Sequence, residues 1–529
     1  MYKNYNYSVL GFFCIILLLP FIGIFSKITY DYESIIEFLT NSYTHRIIYF
    51  SLYQAFFSAF ISCLLAIPFA LALNRHKSLK IVKIIISLCG FSFVIPSILI
   101  VYAVIKLFGN NGFFNTYFDI YNTFSFNSIY GTKAILIAHI LLNTPFASRL
   151  LFQNLNNIPT KYYEISRSMR LSYFGNIIKL EVPIIKQSLF TIFAIIFSLC
   201  FLSFAIVMAL GGGPKFSTIE VAIYQYALFE LNFNKAIILS LIQIIICIFF
   251  VFIGFFTLKG SNFFEVDIKS YGHPHKDILF VIISDLFVLI LFTLFLFSPI
   301  ILILHNFLNS NFNNIFYDIN FIRAFLNSLI ISIISGCLVS ILGFSISVLL
   351  VLNHRNLFLQ QILFLFSSSI IIISPIIFSL GYFIILDELR YVLIFKYIVI
   401  ILINCIFLIP FSILILFNNL KNIYLNYLDI KSSFRISLIN YFKILFPLVK
   451  KNCLYVFSFS TVITFGDFTI ISFFKDQNFE TLPTYLFRLI SVYRFNEASF
   501  VSGFILIISL IIYFLIDNFN YQGKSAIKT

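Results

Sequence analysis

The sequence predicts an all-α, polytopic membrane protein of about twelve transmembrane helices, built as two parallel six-helix repeats, and three observations lead there. The 529 residues are 60% hydrophobic and only 11% charged, with a mean hydropathy of +1.01; soluble domains run near 45–50% apolar and about 25% charged. The apolar residues gather in runs of about 20 or more, the length that crosses a bilayer. One 28-residue stretch recurs half a chain length further on.

In order, the apolar runs fall at 8–27, 47–74, 82–108, 133–153, 184–211 and 235–258, then at 278–306, 324–352, 358–386, 391–417, 450–474 and 498–517. A polar stretch, 259–277, separates the two sets, so the expected organisation is a first half 1–258, a cytoplasmic linker 259–277 and a second half 278–529. The first run follows Lys3 with no small-residue cleavage site after it, which reads as an uncleaved span. Only Asp387, Glu388, Leu389 and Arg390 part the ninth run from the tenth.

Charge placement tests this map. The net charge of +14 is spread over short loops, not gathered on one face, so topology explains it better than nucleic-acid binding. With both termini in the cytoplasm, roughly two-thirds of the 35 Lys and Arg fall on the cytoplasmic side, as the positive-inside rule asks. The eight cysteines form no C-x-x-C pair, so neither a disulfide framework nor a zinc site is indicated. No metal site or cofactor is expected; His273 and His275 in the linker lack partners at ligand spacing.

Residues 145–172 align without gaps on 410–437, an offset of 265, with 13 of 28 positions identical, among them Pro145/Pro410, Asn154/Asn419, Ser168/Ser433, Arg170/Arg435 and Ser172/Ser437. Leu73-Asn74-Arg75-His76 echoes Leu352-Asn353-His354-Arg355, and Pro96 echoes Pro375. Six spans per half is even, so both halves enter the membrane the same way, a parallel repeat with a pathway expected between them. The best-matched element is a polar cytoplasmic loop, which reads either as a short surface helix needed for folding or as one docking helix per half meeting a two-fold partner such as a dimer of motor subunits.

At these residues the chain resembles a known family. The pattern Glu-Ala-Ala, three residues, Gly, nine residues, Ile-x-Leu-Pro marks the cytoplasmic coupling loop of permease subunits of bacterial binding-protein-dependent ABC importers. Here Glu164 takes the acidic place, Ile165 and Ser166 replace the alanines, Arg170 stands at the glycine, and Leu180, Val182 and Pro183 close the motif. In the second half Asp429 replaces the Glu, Arg435 again replaces the Gly, and Phe446-Pro447 ends the motif one residue early. Ser203-Phe204-Ala205, Leu210 to Pro214 and Thr218 to Gln225 look like the thiamine importer permeases, a branch that is also a fused twelve-span chain. The iron(III) importer permeases are similar in layout and are the alternative.

The resemblance implies a subunit of the bacterial inner membrane, set in lipid, with a separate ABC ATPase dimer on the cytoplasmic side and a substrate-binding protein outside. It implies ATPase-coupling roles for Glu164, Ser168, Arg170, Pro183, Asp429, Ser433, Arg435 and Pro447, with thiamine or its phosphate esters as substrate. Glu164 and Asp429 are expected in the first turn of a short helix, where an acidic side chain favours the dipole.

Asp467, with Gly466 before it, lies in the eleventh run; a carboxylate there costs about 2.5–3.5 kcal/mol and should face a bundle interior or water-filled path, or else bond a Ser or Thr on a neighbouring helix. Gly466 and Ser203 are also expected on the translocation pathway. Asp285 reads as structural, His139 as bonded to a neighbouring helix, and Gly211 to Pro214 as a tight loop. Gly523-Lys524-Ser525 mimics the end of a P-loop, but Asn518 stands where Gly is required, so ATP hydrolysis and any other catalysis are expected elsewhere. An ion-coupled secondary transporter would place its best-matched repeat positions at embedded charges, and a membrane enzyme would cluster polar residues at one depth; the sequence does neither.

Overall fold

The computed structural model describes residues 2–27, 32–110, 112–118, 130–257, 278–310, 315–352, 373–386, 392–426 and 438–525. They are helical almost throughout. The first part of the chain forms α1 (Tyr2–Ser26), α2 (Tyr32–Thr40), α3 (Ser42–Arg75), α4 (Lys80–Phe91), α5 (Ser97–Phe108), α6 (Phe113–Phe118) and α7 (Thr132–Asn156). Then come α8 (Thr160–Ser168), α9 (Tyr173–Asn176), α10 (Val182–Phe201), α11 (Ala205–Leu210), α12 (Ile219–Leu228) and α13 (Phe233–Thr257). The remainder forms α14 (Leu279–Leu308), α15 (Ile319–Leu352), α16 (Pro375–Ile385), α17 (Leu393–Asn426), α18 (Leu438–Phe465), α19 (Thr469–Phe474), α20 (Leu482–Ser491) and α21 (Phe495–Ser525).

Among the described residues, nine helices are long and apolar enough to cross a membrane. They answer nine of the twelve runs. Run 8–27 yields the shorter apolar segment Cys14–Ser26, and run 358–386 yields Pro375–Ile385, with 353–372 outside the described residues. Run 450–474 becomes α18, which begins earlier and carries Lys450 and Lys451 midway. Run 82–108 is not one helix: it breaks between α4 and α5, where Pro96 precedes the first turn of α5. Pro disfavours helical geometry in the residue before it.

Two compact units emerge. One comprises Glu33–Ala222 and Ile245–Ser310; the other comprises Met1–Tyr32, Ile223–Ile244 and Asn311–Thr529. These are sets of packed helices, whereas the expected halves are sets of repeated sequence, and the two divisions cut the chain differently. α1 groups with second-half helices and α14 with first-half helices.

In the first unit α3 is the spine, packed along α7 and α10. Its core joins Phe69, Ala72 and Leu73 of α3 with Val82, Ile86 and Cys89 of α4, Phe152 of α7, and Leu289, Leu296 and Phe297 of α14. Phe69 stacks on Phe292 with ring centroids 5.5 Å apart. The opposite side of α14 exposes Leu279, Phe280, Ile283, Phe287 and Leu291, as a lipid-facing helix does.

In the second unit α15 packs on α17 and α18, and α1 lies along α16. The last contact depends on two glycines. A Cβ on Gly381 would sit 2.3 Å from the Pro20 carbonyl, and one on Gly23 would sit 2.4 Å from the Gly381 carbonyl. Without a hydrophobic drive between helices in lipid, such small residues allow the close approach that dispersion needs. The Tyr382 hydroxyl donates to the Ile16 carbonyl at 2.9 Å beside this crossing.

Local geometry repeats along the chain. α11, α12 and α13 have 6, 10 and 25 residues, and α19, α20 and α21 have 6, 10 and 31. Both turns into the last helix use a left-handed non-glycine residue, Leu231 (φ 52°) and Tyr493 (φ 60°). Ser51 Oγ of α3 accepts from the Ile219 N–H at 2.9 Å, and Ser328 Oγ of α15 accepts from the Leu482 N–H at 2.8 Å.

Substituting Gly381→Leu should overpack the α1–α16 crossing and destabilise by about 1–3 kcal/mol. Thermal unfolding in detergent would show this as a lower Tm. Gly11→Leu, at a position with nothing within 4 Å of a Cβ, should leave the Tm unchanged.

Candidate functional site

The polar segment between α7 and α10 is a chain of short capped turns. Pro159 precedes α8, and Glu164 is exposed on it. Glu164 is the fifth residue of α8, not a first-turn residue, and the first turn carries no acid. The expected dipole role is therefore absent, because the helix starts earlier than the motif. Ser168 is exposed and donates to the Ile165 carbonyl at 2.8 Å.

Arg170 has φ 51°, the left-handed region. The Leu171 N–H reaches the Ser166 carbonyl at 3.0 Å and the Arg170 N–H reaches the Arg167 carbonyl at 3.1 Å. This 6→1 and 5→2 pair is a Schellman closure, which ordinarily places Gly at the left-handed position. Arginine thus adopts the conformation of the glycine it replaces, at a cost of roughly 1–2 kcal/mol.

Ser172 Oγ then accepts from the Gly175 N–H at 3.1 Å to cap α9, a single π-turn spans Ile177–Glu181, and Pro183 opens α10, exposed. Tyr162, Ile165, Met169, Phe174 and Ile178 are all more than half exposed on this polar loop. Tyr163 and Ser166 face inward. In the second half, Asp429, Ser433 and Arg435 lie outside the described residues, while Pro447 is exposed inside α18.

Beneath the loop lies an ion cluster of which the sequence singled out Asp285, as structural, but not Glu181. Arg75, the last residue of α3, donates through Nε and one terminal nitrogen to Asp285 of α14 at 2.8 and 2.7 Å. Its other terminal nitrogen is 3.9 Å from Glu181, and the guanidinium carbon lies 5.3 Å from the Tyr173 ring centroid. His76 Nε2 is 3.1 Å from Asp285. Arg75, Glu181 and Asp285 are 5%, 0% and 2% exposed, so this is a buried network, not a surface pair. Tyr163 lies against Asn74, and its burial, with Glu181 nearby, raises the phenol above its usual range. Residues 75, 181 and 285 are too far apart in sequence for any local pattern to have joined them.

The expected pathway residues sit where spans break. Helix α10 stops at Phe201 and α11 begins at Ala205, leaving Ser203 half-buried in the gap; α18 stops at Phe465 and α19 begins at Thr469, leaving Gly466 and Asp467 there. The Cys200 carbonyl accepts from Gln54 Nε2 at 2.9 Å as well as from the Ser203 N–H at 3.3 Å. Asp467 Oδ1 accepts from the Thr469 and Ile470 N–H groups at 2.9 and 3.4 Å. Asp467 therefore caps a helix within its own span instead of bonding a neighbouring Ser or Thr, and its Oδ2 is buried beside the Asn404 amide without a well-formed hydrogen bond. His139 is buried, and neither ring nitrogen finds a partner among the described residues, unlike the interhelical bond expected of it. Gly212 and Gly213, at φ 70° and 127°, form the tight turn after α11.

Membrane-length apolar helices, two of the apolar runs interrupted at 202–204 and 466–468, define a multi-pass membrane protein. No family model matches the chain. It is 30% identical over 493 residues to the thiamine transport system permease protein of Haemophilus influenzae, covering 91% of this chain and 89% of that protein. It is 27% identical to the thiamine transport system permease protein of Escherichia coli over 90% and 89% of the two chains. A putative ferric transport system permease protein of Haemophilus influenzae is 26% identical over 50% of this chain and 44% of its own length. The chain belongs to the family of thiamine transport system permease proteins.

Arg170→Gly should keep the α8 closure and relieve its strain, partly offset by the greater freedom glycine has when unfolded. Arg170→Val should lose the closure, because a β-branched side chain is a genuine outlier at positive φ. Hydrogen exchange of the Arg170 and Leu171 amides distinguishes the cases: protection retained in the first, lost in the second.

Proposed function

We propose that this chain is the membrane subunit of an ATP-driven importer of thiamine or its phosphate esters, working with a separate ABC ATPase dimer in the cytoplasm and a substrate-binding protein outside. The observation that carries this reading is similarity along nine-tenths of the chain to proteins named as thiamine transport permeases. The ferric relative matches only half of the chain, which favours thiamine over iron. Residues 1–258 and 278–529 act as the two permease halves, joined by a cytoplasmic linker, with both termini inside; the recurring helix lengths and serine caps support that division.

The exposed apolar side chains of α8 and α9 surround Glu164, Ser168 and Arg170 and suit a partner that covers them. Asp429, Ser433, Arg435 and Pro447 take the same role in the second half, with Pro183 and Pro447 fixing where each loop re-enters its span. Closure of the ATPase pair would press on both loops, and the importer would alternate access because ATP and loaded binding protein favour different states. Ser203, Gly466 and Asp467 belong to the translocation route. Thiamine is a cation, and the Asp467 carboxylate offsets the loss of its hydration.

The test is uptake of labelled thiamine, and of ferric ion, by liposomes holding permease, ATPase and loaded binding protein. ATP-dependent thiamine uptake, lost in Glu164→Arg with Asp429→Arg, is the expected result; uptake of iron alone would replace the substrate, and ATP-independent uptake would refute the importer. Asp467→Asn keeps the capping oxygen and removes the charge. It should preserve folding and hydrolysis while lowering thiamine uptake about tenfold, the factor that 1.4 kcal/mol of lost cation stabilisation represents.

A further inference from the structure

The coupling segment from Thr160 to Glu181 touches the last turn of α3 at both of its ends. Near its start Tyr163 lies against Asn74, and at its finish Glu181 faces Arg75, the next residue of the same turn. Arg75 in turn holds Asp285 of α14 through two short hydrogen bonds, while Tyr173, midway along the segment, lies against the guanidinium. One side chain therefore meets the segment, α3 and α14. Asp285 already engages two of the guanidinium nitrogens, so the Arg75–Asp285 pair is complete as a bidentate salt bridge. Glu181 adds a second carboxylate at the third nitrogen, fully buried, where a neutral side chain of the same shape would avoid the desolvation of a charge.

We propose that Glu181 is a positioning residue that, through Arg75, makes the first-half coupling segment move as one body with α3 and α14. This rests on the coupling role proposed above for that segment. Displacing the segment alone would pull a buried carboxylate away from its cation, which is costly in a low-dielectric site, so movement is passed to the ends of two spanning helices. The carboxylate itself is not repeated in the sequence of the second half. Glu181 stands two residues before Pro183, and two residues before Pro447 the second half carries Leu445.

The experiment uses the whole complex in liposomes and reads thiamine uptake and ATP hydrolysis together. Glu181→Gln keeps shape and leaves the Arg75–Asp285 pair intact. The expected result is normal assembly and basal hydrolysis, with uptake per ATP reduced about fivefold or more, the lower edge of ordinary coupling energies. Leu445→Gln, the matched position of the second half, should leave that ratio unchanged. An unchanged ratio in Glu181→Gln, or an equal loss in Leu445→Gln, overturns the proposal. On the unsubstituted complex, hydrogen exchange gives a second reading. Addition of ATP should alter protection of 163–181 and 72–76 together, and a change in one stretch without the other overturns it as well. Failure of the unsubstituted complex to import thiamine with ATP would instead refute the importer reading, and this inference would fall with it.

Discussion

Inside a bilayer no water is at hand for an unpaired peptide group, and this constraint governs how the chain can interrupt its spans. At several of the described interruptions a side chain bonds an exposed backbone group. Gln54 reaches the Cys200 carbonyl where α10 ends, Asp467 takes the first N–H groups of α19, and Ser51 and Ser328 meet the N-termini of α12 and α20. The long helices α3 and α15 thus act as donors of polar groups to their broken neighbours as well as packing surfaces. Broken spans are where transporters build polar routes, because only there can backbone line a cavity.

The same scarcity of water gives the Arg75 cluster its character. An ordinary surface ion pair contributes little, but where the pair has a few per cent of its area exposed, removing either partner destabilises the protein by about 3–5 kcal/mol in comparable cases. Below the first-half loop the contacts are ionic and directional. At the matched place of the second half the sequence carries Leu445 and not a carboxylate.

Much of this was legible in the sequence because bilayer thickness prints itself on hydropathy: nine described helices fall on predicted runs. The breaks at 202–204 and 466–468 were not, since the surrounding run stays apolar despite Ser203 and Asp467 and hydropathy does not register which peptide groups are paired. Arg170 was legible as a departure from a glycine, but not as a residue that would accept glycine's backbone angle; hydrogen bonds on both sides of it enforce that angle. Glu164 showed its place in the motif and not its place in the helix. Arg75 and Asp285, 210 positions apart, could be joined only by the fold.

The grouping of α1 with late-synthesised helices has a consequence for biogenesis. Gly23 finds its packing partner in Gly381, which leaves the ribosome roughly 20–70 s later at ordinary elongation rates. Before Gly381 is made, the unit holding Glu33–Ala222 and Ile245–Ser310 is already complete in sequence, while the glycine face of α1 still lacks its partner. Synthesis and tertiary packing are therefore separated in time for this helix, which is made well before the helix that locks it in place.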